Sequence, residues 1–233
     1  MKRFWDARAR EDPFYFVDNR LRYREPDLER FWADGREALD KMLELLDVRI
    51  SPRDSIVEIG CGVGRITRFL AQRGGQVRAL DVSAEMLDRA RELNPGLDNV
   101  EWIVGDGESL APIETKSADV CHSFVVFQHI PDPRITLGYV REMGRILRPG
   151  GIAFFQVSNR PYVHRKPPVW RRLEHCLLAL LARAPQGQAN PAWRGSAIDL
   201  DELRAVAERA GLEVQRVVGE GTQFCLVRLR RRR

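Results

Sequence analysis

The apolar positions of this chain keep two rhythms in turn. After Pro26-Asp27, the residues Leu28, Phe31, Trp32, Leu39, Met42, Leu43 and Leu46 recur at helical spacing, which predicts an amphipathic helix to about Leu46. Ser51-Pro52-Arg53-Asp54 reads as a turn. A compact apolar run, Ile56 to Ile59, then predicts a strand. It carries Glu58 and runs into Gly60, Gly62 and Gly64, and Ile66, Phe69 and Leu70 follow on one helical face. The alternation repeats. Gln76 to Leu80 predicts a second strand, ending at Asp81. Ser83 caps a helix through Met86, Leu87, Ala90 and Leu93, closed by Asn94-Pro95-Gly96. Val100 to Val104 predicts a third strand, which ends in Gly105-Asp106-Gly107. Ala118 to Val126 predicts a fourth strand, Arg134 to Leu147 a helix, Arg148-Pro149-Gly150-Gly151 a turn, and Ile152 to Val157 a fifth strand. Asp199-Leu200-Asp201-Glu202 opens a last helix to Ala210, with Gly211 as its stop. Glu213 to Val218 and Gln223 to Leu229 are two strands joined across Gly219-Glu220-Gly221, hence antiparallel. Strands alternating with helices imply an α/β fold with a parallel sheet covered on both faces and closed by a hairpin.

Two stretches break the rhythm. Residues 1–25 gather Phe4, Trp5, Phe14, Tyr15, Phe16 and Tyr23 among charges without clean periodicity. They read as a lid or as a segment tied onto the core. Residues 158–195 hold Pro161, Pro167, Pro168, Pro185 and Pro191 around one amphipathic helix near 168–183. The organisation expected is one domain: an N-terminal helical cap (1–48), a core (49–157), a proline-rich insert (158–195), and a last helix with its hairpin (196–233).

Composition narrows the setting. With 233 residues, 44% of them hydrophobic and 30% charged, the chain has the make-up of a water-soluble domain with a sizeable core. No run of about 18 apolar residues exists, so no membrane span is expected. The start, Met1 to Asp6, lacks the apolar centre of a secretion signal. Cys61, Cys121, Cys176 and Cys225 show no Cys-x-x-Cys pairing, so a reducing cytoplasm, no disulfide frame and no metal site are expected. A net charge of +5 is mild. Part of it lies in Arg228-Leu229-Arg230-Arg231-Arg232-Arg233, which reads as a solvated end, with a nucleic-acid or phosphate contact as the sharper alternative.

Candidate chemistry collects at strand ends. In an open α/β sheet a ligand sits beyond the carboxyl ends of the strands. Glu58 and the glycines stand there on strand one, Asp81 on strand two and Asp106 on strand three. A strand–glycine–helix turn suits a nucleotide-type ligand. A carboxylate at Asp81 suits a pair of ribose hydroxyls, because it is acceptor-only with two oxygens. One at Asp106 suits an exocyclic amine, and Val82 with Met86 suits the faces of a purine.

Glu58-Ile59-Gly60-Cys61-Gly62-Val63-Gly64-Arg65, Leu80-Asp81-Val82-Ser83-Ala84-Glu85-Met86-Leu87, Gly105-Asp106-Gly107, Phe127-Gln128-His129-Ile130-Pro131-Asp132 and Arg145-Ile146-Leu147-Arg148-Pro149-Gly150-Gly151 follow one another in a familiar order. In these pieces the chain resembles the class I S-adenosylmethionine-dependent methyltransferases over about 50–157. The resemblance implies a Rossmann-like, doubly wound, seven-stranded sheet, mostly parallel with an antiparallel C-terminal hairpin strand. It implies S-adenosylmethionine as cofactor, with Gly60, Gly62 and Gly64 near the methionine moiety, Asp81 on the ribose, and Asp106 with Gly107 on the adenine edge. Phe124 and Gln128 would line the sulfonium side. It also implies an in-line displacement, with His129 as the leading candidate for a base and His164 and Tyr162 as weaker ones.

The acceptor is less legible. After strand four the chain reads His122-Ser123-Phe124-Val125, without the Asn/Asp-Pro-Pro-aromatic tetrad associated with methylation of base amines, so a nucleic-acid partner is disfavoured. A small molecule accepting at O, N or C is expected, and Arg160, His164, Arg165 and Lys166 would favour an anionic one. The rival readings are a protein or RNA acceptor, a nicotinamide-dependent dehydrogenase, and a non-catalytic binding module. Of these, the dehydrogenase expects a glycine where Arg65 or Ile66 stands. Oligomeric state is not encoded.

Overall fold

The computed structural model describes residues 1–165, 185, 187 and 190–233. The helix expected near 168–183, Lys166 and Cys176 lie outside the described residues.

The short β-branched runs become strands β1 (Ser55–Ile59), β2 (Gln76–Asp81), β3 (Val100–Val104) and β4 (Ala118–Ser123), followed by β5 (Leu147–Val157), β6 (Leu212–Val218) and β7 (Cys225–Arg231). They form one sheet in the order β3-β2-β1-β4-β5-β7-β6. The pairs among β1 to β5 are parallel, and β7 is antiparallel to both β5 and β6. Strand order reverses between β1 and β4, where Val57 pairs with Cys121 and Glu58 with His122. That reversal opens the crevice in which such sheets hold ligands.

The side-chain period of two splits each strand between two cores. Val57, Ile59, Leu80 and Phe155 pack on one face against α6 (Pro133–Ile146), where Val140 and Met143 point inward. Ile56, Val77, Ala79 and Phe154 pack on the other face with Leu39, Met42 and Leu46 of the helix α3 (Leu28–Leu45) and its C-cap. Between them α4 (Thr67–Ala71) and α5 (Ala84–Leu93) follow β1 and β2. Ser83 is the N-cap of α5, its hydroxyl accepting from the Met86 N–H. The last helix, α8 (Leu200–Arg209), begins on Asp199, whose carboxylate accepts from the N–H groups of Asp201 and Glu202. A short helix α7 (Pro191–Arg194) precedes it.

Three expectations are corrected. Strand β4 stops at Ser123 rather than Val126. Phe124 to Val126 keep the apolar character of a strand because they wall a cavity, and the chain turns there, with Val125 at φ 58°. The expected turn at Arg148 to Gly151 is taken into β5, with a register irregularity between Ala118 and Val120 on its partner. The arginine-rich end is not a loose tail. Val227 and Leu229 are fully buried, Arg228 and Arg230 alternate with them, and Arg231 ends β7. Arg228 donates to the Leu46 carbonyl at 3.0 Å, and Arg231 donates to the Ala210 carbonyl.

Ahead of the sheet, α1 (Lys2–Glu11) and α2 (Pro13–Val17) lie over the strand tips. The Asp6 carboxylate accepts from the Ser83 hydroxyl at 2.8 Å, which fastens α1 to the cap of α5. Among the described residues no helix is long and apolar enough to cross a membrane. Cys61, Cys121 and Cys225 are buried free thiols.

Candidate active site

Beyond the tips of β1, β2 and β4 lies a cleft of about 1050 Å³, counted out to its open mouth. Its floor is the turn that leaves β1. Gly60 and Cys61 donate backbone N–H bonds to the Leu80 carbonyl at 2.7 and 3.0 Å, which folds the turn back on β2. Gly60 holds φ 73°, and a Cβ there would stand 2.3 Å from Val126 Cγ2. Gly62 (φ 54°) faces Val17 of α2. Only glycine takes these dihedrals without strain.

Asp81 ends β2 and meets this turn directly. Its Oδ2 accepts from the Gly62 N–H and its Oδ1 from the Ser83 N–H, both at 2.9 Å. The side chain lines the cleft, half-exposed to it but enclosed by protein. Burial pushes its carboxyl up to about 6 against those two N–H bonds, and the Asp6 charge adds to the rise. Glu58 is buried, and its Oε2 accepts from the Thr67 hydroxyl at 2.6 Å. Burial raises its carboxyl to about 7; the Thr67 bond opposes this and Asp81 reinforces it.

Glu58 therefore predicts a pH signature in stability. Its folded value lies above the ordinary 4.5, so between about 4.5 and 7 the folded state holds a proton that the unfolded state has lost. Stability from this group is full below that window and falls as pH rises through it, by about 3 kcal/mol in all. Glu58→Gln, which keeps an acceptor for Thr67, should flatten this slope. Urea unfolding should find the variant more stable than the parent at pH 8 and little different at pH 4.5.

The remaining walls are apolar. Val82 and Met86 line the cleft beside Asp81, with Gly107, Ser109 and Leu110 from the loop after β3. Phe124, Val125, Val126 and His129 line it from the loop after β4. The Val125 N–H donates to Gln156 Oε1 at 3.1 Å, which holds a β-branched residue in a left-handed conformation normally costing about 1–3 kcal/mol.

His129 Nδ1 stands 2.7 Å from the Trp193 carbonyl, so Nδ1 carries the proton in the neutral ring. Its Nε2 is 3.2 Å from Gln128 Nε2, and Gln128 Oε1 accepts from Gln156 Nε2 at 3.1 Å. This chain of amides makes Gln128 the donor and His129 Nε2 the acceptor. Burial pushes the imidazole down to about 4, and nearby His164 adds to that against the Trp193 bond. Trp5 and Trp193 pack on the ring at centroid distances of 5.6 and 5.3 Å.

Not every expected residue reaches the cleft. Glu58, Gly60, Gly62, Asp81, Val82, Met86, Gly107, Phe124 and His129 line it, whereas Gly64, Asp106 and Gln128 do not. A Cβ on Gly64 would meet Asn94 and Trp102 on the far side of the turn. Asp106 is exposed and folds its own loop, accepting from the Glu108 and Ser109 N–H groups and the Ser109 hydroxyl at 2.6–2.7 Å. Gln128 is buried behind His129. Tyr162, His164 and Arg165 do not line the cleft either. His164 Nε2 pairs with the Ser158 hydroxyl at 2.7 Å, and Arg160 lies over the Tyr162 ring. The cleft adds Met1, Trp5, Phe16, Val17, Arg65 and Tyr139. The aromatic density of residues 1–25 was the only sequence signal for four of these. Among the described residues no cluster of His, Cys, Asp and Glu suits a metal ion.

Residues 57–155, which carry the glycine turn, Asp81 and the loop after β4, match the family described as a methyltransferase domain. Over that segment the chain is similar to S-adenosylmethionine-dependent methyltransferases. The chain is 32% identical over 146 residues to a malonyl-[acyl-carrier protein] O-methyltransferase of Pectobacterium atrosepticum, covering 63% of the chain and 54% of that relative. It is 32% identical over 140 residues to a ubiquinone biosynthesis O-methyltransferase of Xanthomonas axonopodis pv. citri, covering 56% and 57%. It thus spans about half the length of these curated relatives. In fold it is similar to the N-methyltransferase NodS of Bradyrhizobium japonicum, solved with S-adenosyl-L-homocysteine. The TM-score is 0.61 at 18% identity, over 98% of this chain and 97% of that one. The donor set of the cleft fits S-adenosylmethionine. A glycine turn that a single Cβ would block leads to a two-oxygen acceptor at Asp81, and apolar walls at Val82 and Met86 stand beside it.

Proposed function

We propose that this chain transfers a methyl group from S-adenosylmethionine to an oxygen, nitrogen or carbon of a small molecule. The observation that carries the reading is the continuity of one cleft. The glycine turn and Asp81 stand at one end, and Trp5, Phe16, Phe124 and His129 line it elsewhere, roofed by the N-terminal cap. Asp81 would hold the ribose hydroxyls, Gly60 and Gly62 the methionine portion, and Val82 and Met86 the adenine. When bound, the cofactor supplies a methyl carbon made electrophilic by its sulfonium.

What the protein adds is orientation and exclusion of water, which in favourable cases lowers a barrier by about 7–11 kcal/mol. The aromatic wall and roof favour a compact, partly apolar acceptor over a polymer. Two relatives are named for O-methylation and one structural neighbour for N-methylation, so the acceptor atom stays open among these. His129 is read as a positioning residue. Its Nδ1 proton serves Trp193 and its Nε2 lone pair serves Gln128, so the imidazole orients the wall rather than taking a proton. The fitting acceptor is then one already deprotonated, or one that sheds its proton after transfer.

Methyl-labelled S-adenosylmethionine offered with separated small-molecule and macromolecular fractions of a cell extract tests the reading. Label is expected in the small-molecule fraction; label confined to protein or RNA overturns it. In the same assay His129→Ala should retain turnover within about threefold, a barrier change of under about 1 kcal/mol. A loss of about a hundredfold, with the pH profile of kcat displaced, would restore His129 as the base.

A further inference from the structure

Three successive residues, Phe124, Val125 and Val126, line the cleft. A strand cannot arrange this, because its side chains alternate between faces. The left-handed turn at Val125, with φ 58°, breaks the alternation and makes one wall of all three. A β-branched residue seldom takes that dihedral, so something outside the loop must hold it there.

The holder is Gln156 of β5, which is fully buried and does not itself line the cleft. Its Oε1 accepts from the Val125 N–H at 3.1 Å. Its Nε2 donates to Gln128 Oε1 at 3.1 Å and to the Gln223 carbonyl in the loop before β7. Two of these partners are backbone groups of fixed polarity, a donor at Val125 and an acceptor at Gln223, so the amide has one orientation. That orientation dictates the rest. Gln128 must turn its oxygen to Gln156 and its nitrogen to His129 Nε2, and His129 must keep its proton on Nδ1, where the Trp193 carbonyl accepts it. The bonds are thus pinned by backbone at both ends. Turning the Gln156 amide over would set donor against donor at Val125 and acceptor against acceptor at Gln128 and Gln223.

We propose that Gln156 is the positioning residue of the acceptor side of the cleft: it fixes the wall at residues 124–126 and, through Gln128, keeps the His129 Nε2 lone pair occupied. The inference rests on the methyl-transfer reading above. The cofactor side has ties of its own. The Gly60 and Cys61 N–H groups are held by the Leu80 carbonyl, the Gly62 N–H by Asp81, and Ser123 by the Ile59 carbonyl. Loss of Gln156 should therefore separate transfer from cofactor binding.

The test uses Gln156→Met, which keeps the length of the side chain but offers no amide. Calorimetry with S-adenosylhomocysteine should find its affinity within about threefold of the parent's. Initial rates are read with methyl-labelled S-adenosylmethionine at saturation, over a dilution series of the cell-extract fraction that the parent labels. The maximal rate should fall at least about tenfold, since a displacement of about 1 Å can cost a hundredfold. That loss comes from the wall, as His129 takes no proton. Nitrogen NMR should find the His129 ring, neutral down to about pH 4 in the parent, titrating about one pH unit higher in the variant. Gln128, free to turn, then offers its oxygen to Nε2 and stabilises the imidazolium, while His164, whose charge also acts on His129, is unchanged. Transfer within about threefold of the parent, affinity that falls in step with transfer, or an unmoved His129 titration would each overturn the proposal. If Gln156→Met does not fold, Gln156→Glu at pH 8, whose carboxylate faces the Gln128 and Gln223 oxygens, is read by affinity and transfer. Label confined to protein or RNA in the parent removes the small-molecule reading alone, and the rates are then read in that fraction. A parent that labels neither removes the methyl-transfer reading, and this proposal with it.

Discussion

Replacing Asp81 by alanine should weaken binding of S-adenosylhomocysteine by about a hundredfold while leaving the protein folded. The affinity follows from what the carboxylate does. It is the acceptor on the cleft wall next to the glycine turn, and it also holds Gly62 and Ser83 in place through their N–H groups. Hydrogen bonds to a charged group are worth about 1.5–3 kcal/mol each, and two from a ribose diol amount to a factor of at least about 100. The fold should tolerate the change because ionised Asp81 sits near Glu58 at a cost. Burial has raised Asp81 to about 6, so losing two backbone partners is offset by losing an enclosed negative charge. The unliganded melting temperature should move by less than about 5 °C. Wild-type binding should carry the matching pH dependence. Hydroxyl donors favour the carboxylate over the acid, so affinity should rise by up to about tenfold per pH unit below 6 and level off above it. Calorimetry across pH 5–8 reads this directly, and a flat profile in both proteins would remove Asp81 from the ribose site.

Gly60→Ala should damage both the fold and the floor of the cleft. The residue is held at φ 73°, where an L side chain costs about 1–2 kcal/mol. Its new Cβ would lie 2.3 and 2.7 Å from the two methyls of Val126, and such overpacking adds about 1–3 kcal/mol. Val126 has little room to retreat, because it belongs to the loop that Ser123 ties to the Ile59 carbonyl and Gln156 ties to Val125. A loss of about 2–5 kcal/mol lowers the melting temperature by roughly 5–20 °C and abolishes the stabilisation by S-adenosylhomocysteine. Gly96→Ala is the control. It shares the left-handed dihedral, at φ 83°, but its Cβ would meet nothing within 4 Å. It should cost only the backbone strain and keep the ligand response.

The sheet and the floor of the cleft are legible in the sequence because both are local. A strand needs four or five apolar residues, the turn needs its glycines, and Asp81 needs only to end a strand. The roof is not local. Met1, Trp5 and Phe16 reach the cleft through α1 and α2, which are placed by contacts distant in sequence, among them the Asp6–Ser83 bond, the Asp18–Arg65 pair and the packing of Ala9 and Val17 with Val63 and Met86. Asp106 shows the opposite case. Its position suggests a ligand contact, yet the Ser109 hydroxyl three residues on competes for the same carboxylate. In β7 the apolar pattern marks a strand only as far as Leu229, and the arginines after it read as a solvated end although the strand runs on to Arg231.

That seventh strand carries a consequence for biogenesis. It lies between β5 and β6, although it is synthesised after both. While the ribosome is still reading codons for Cys225 to Arg231, β5 has a bare flank and β6 has no neighbour at all. The nascent sheet therefore waits open-edged for its final segment, and a chaperone that shields unpaired strands has its clearest opportunity in that interval.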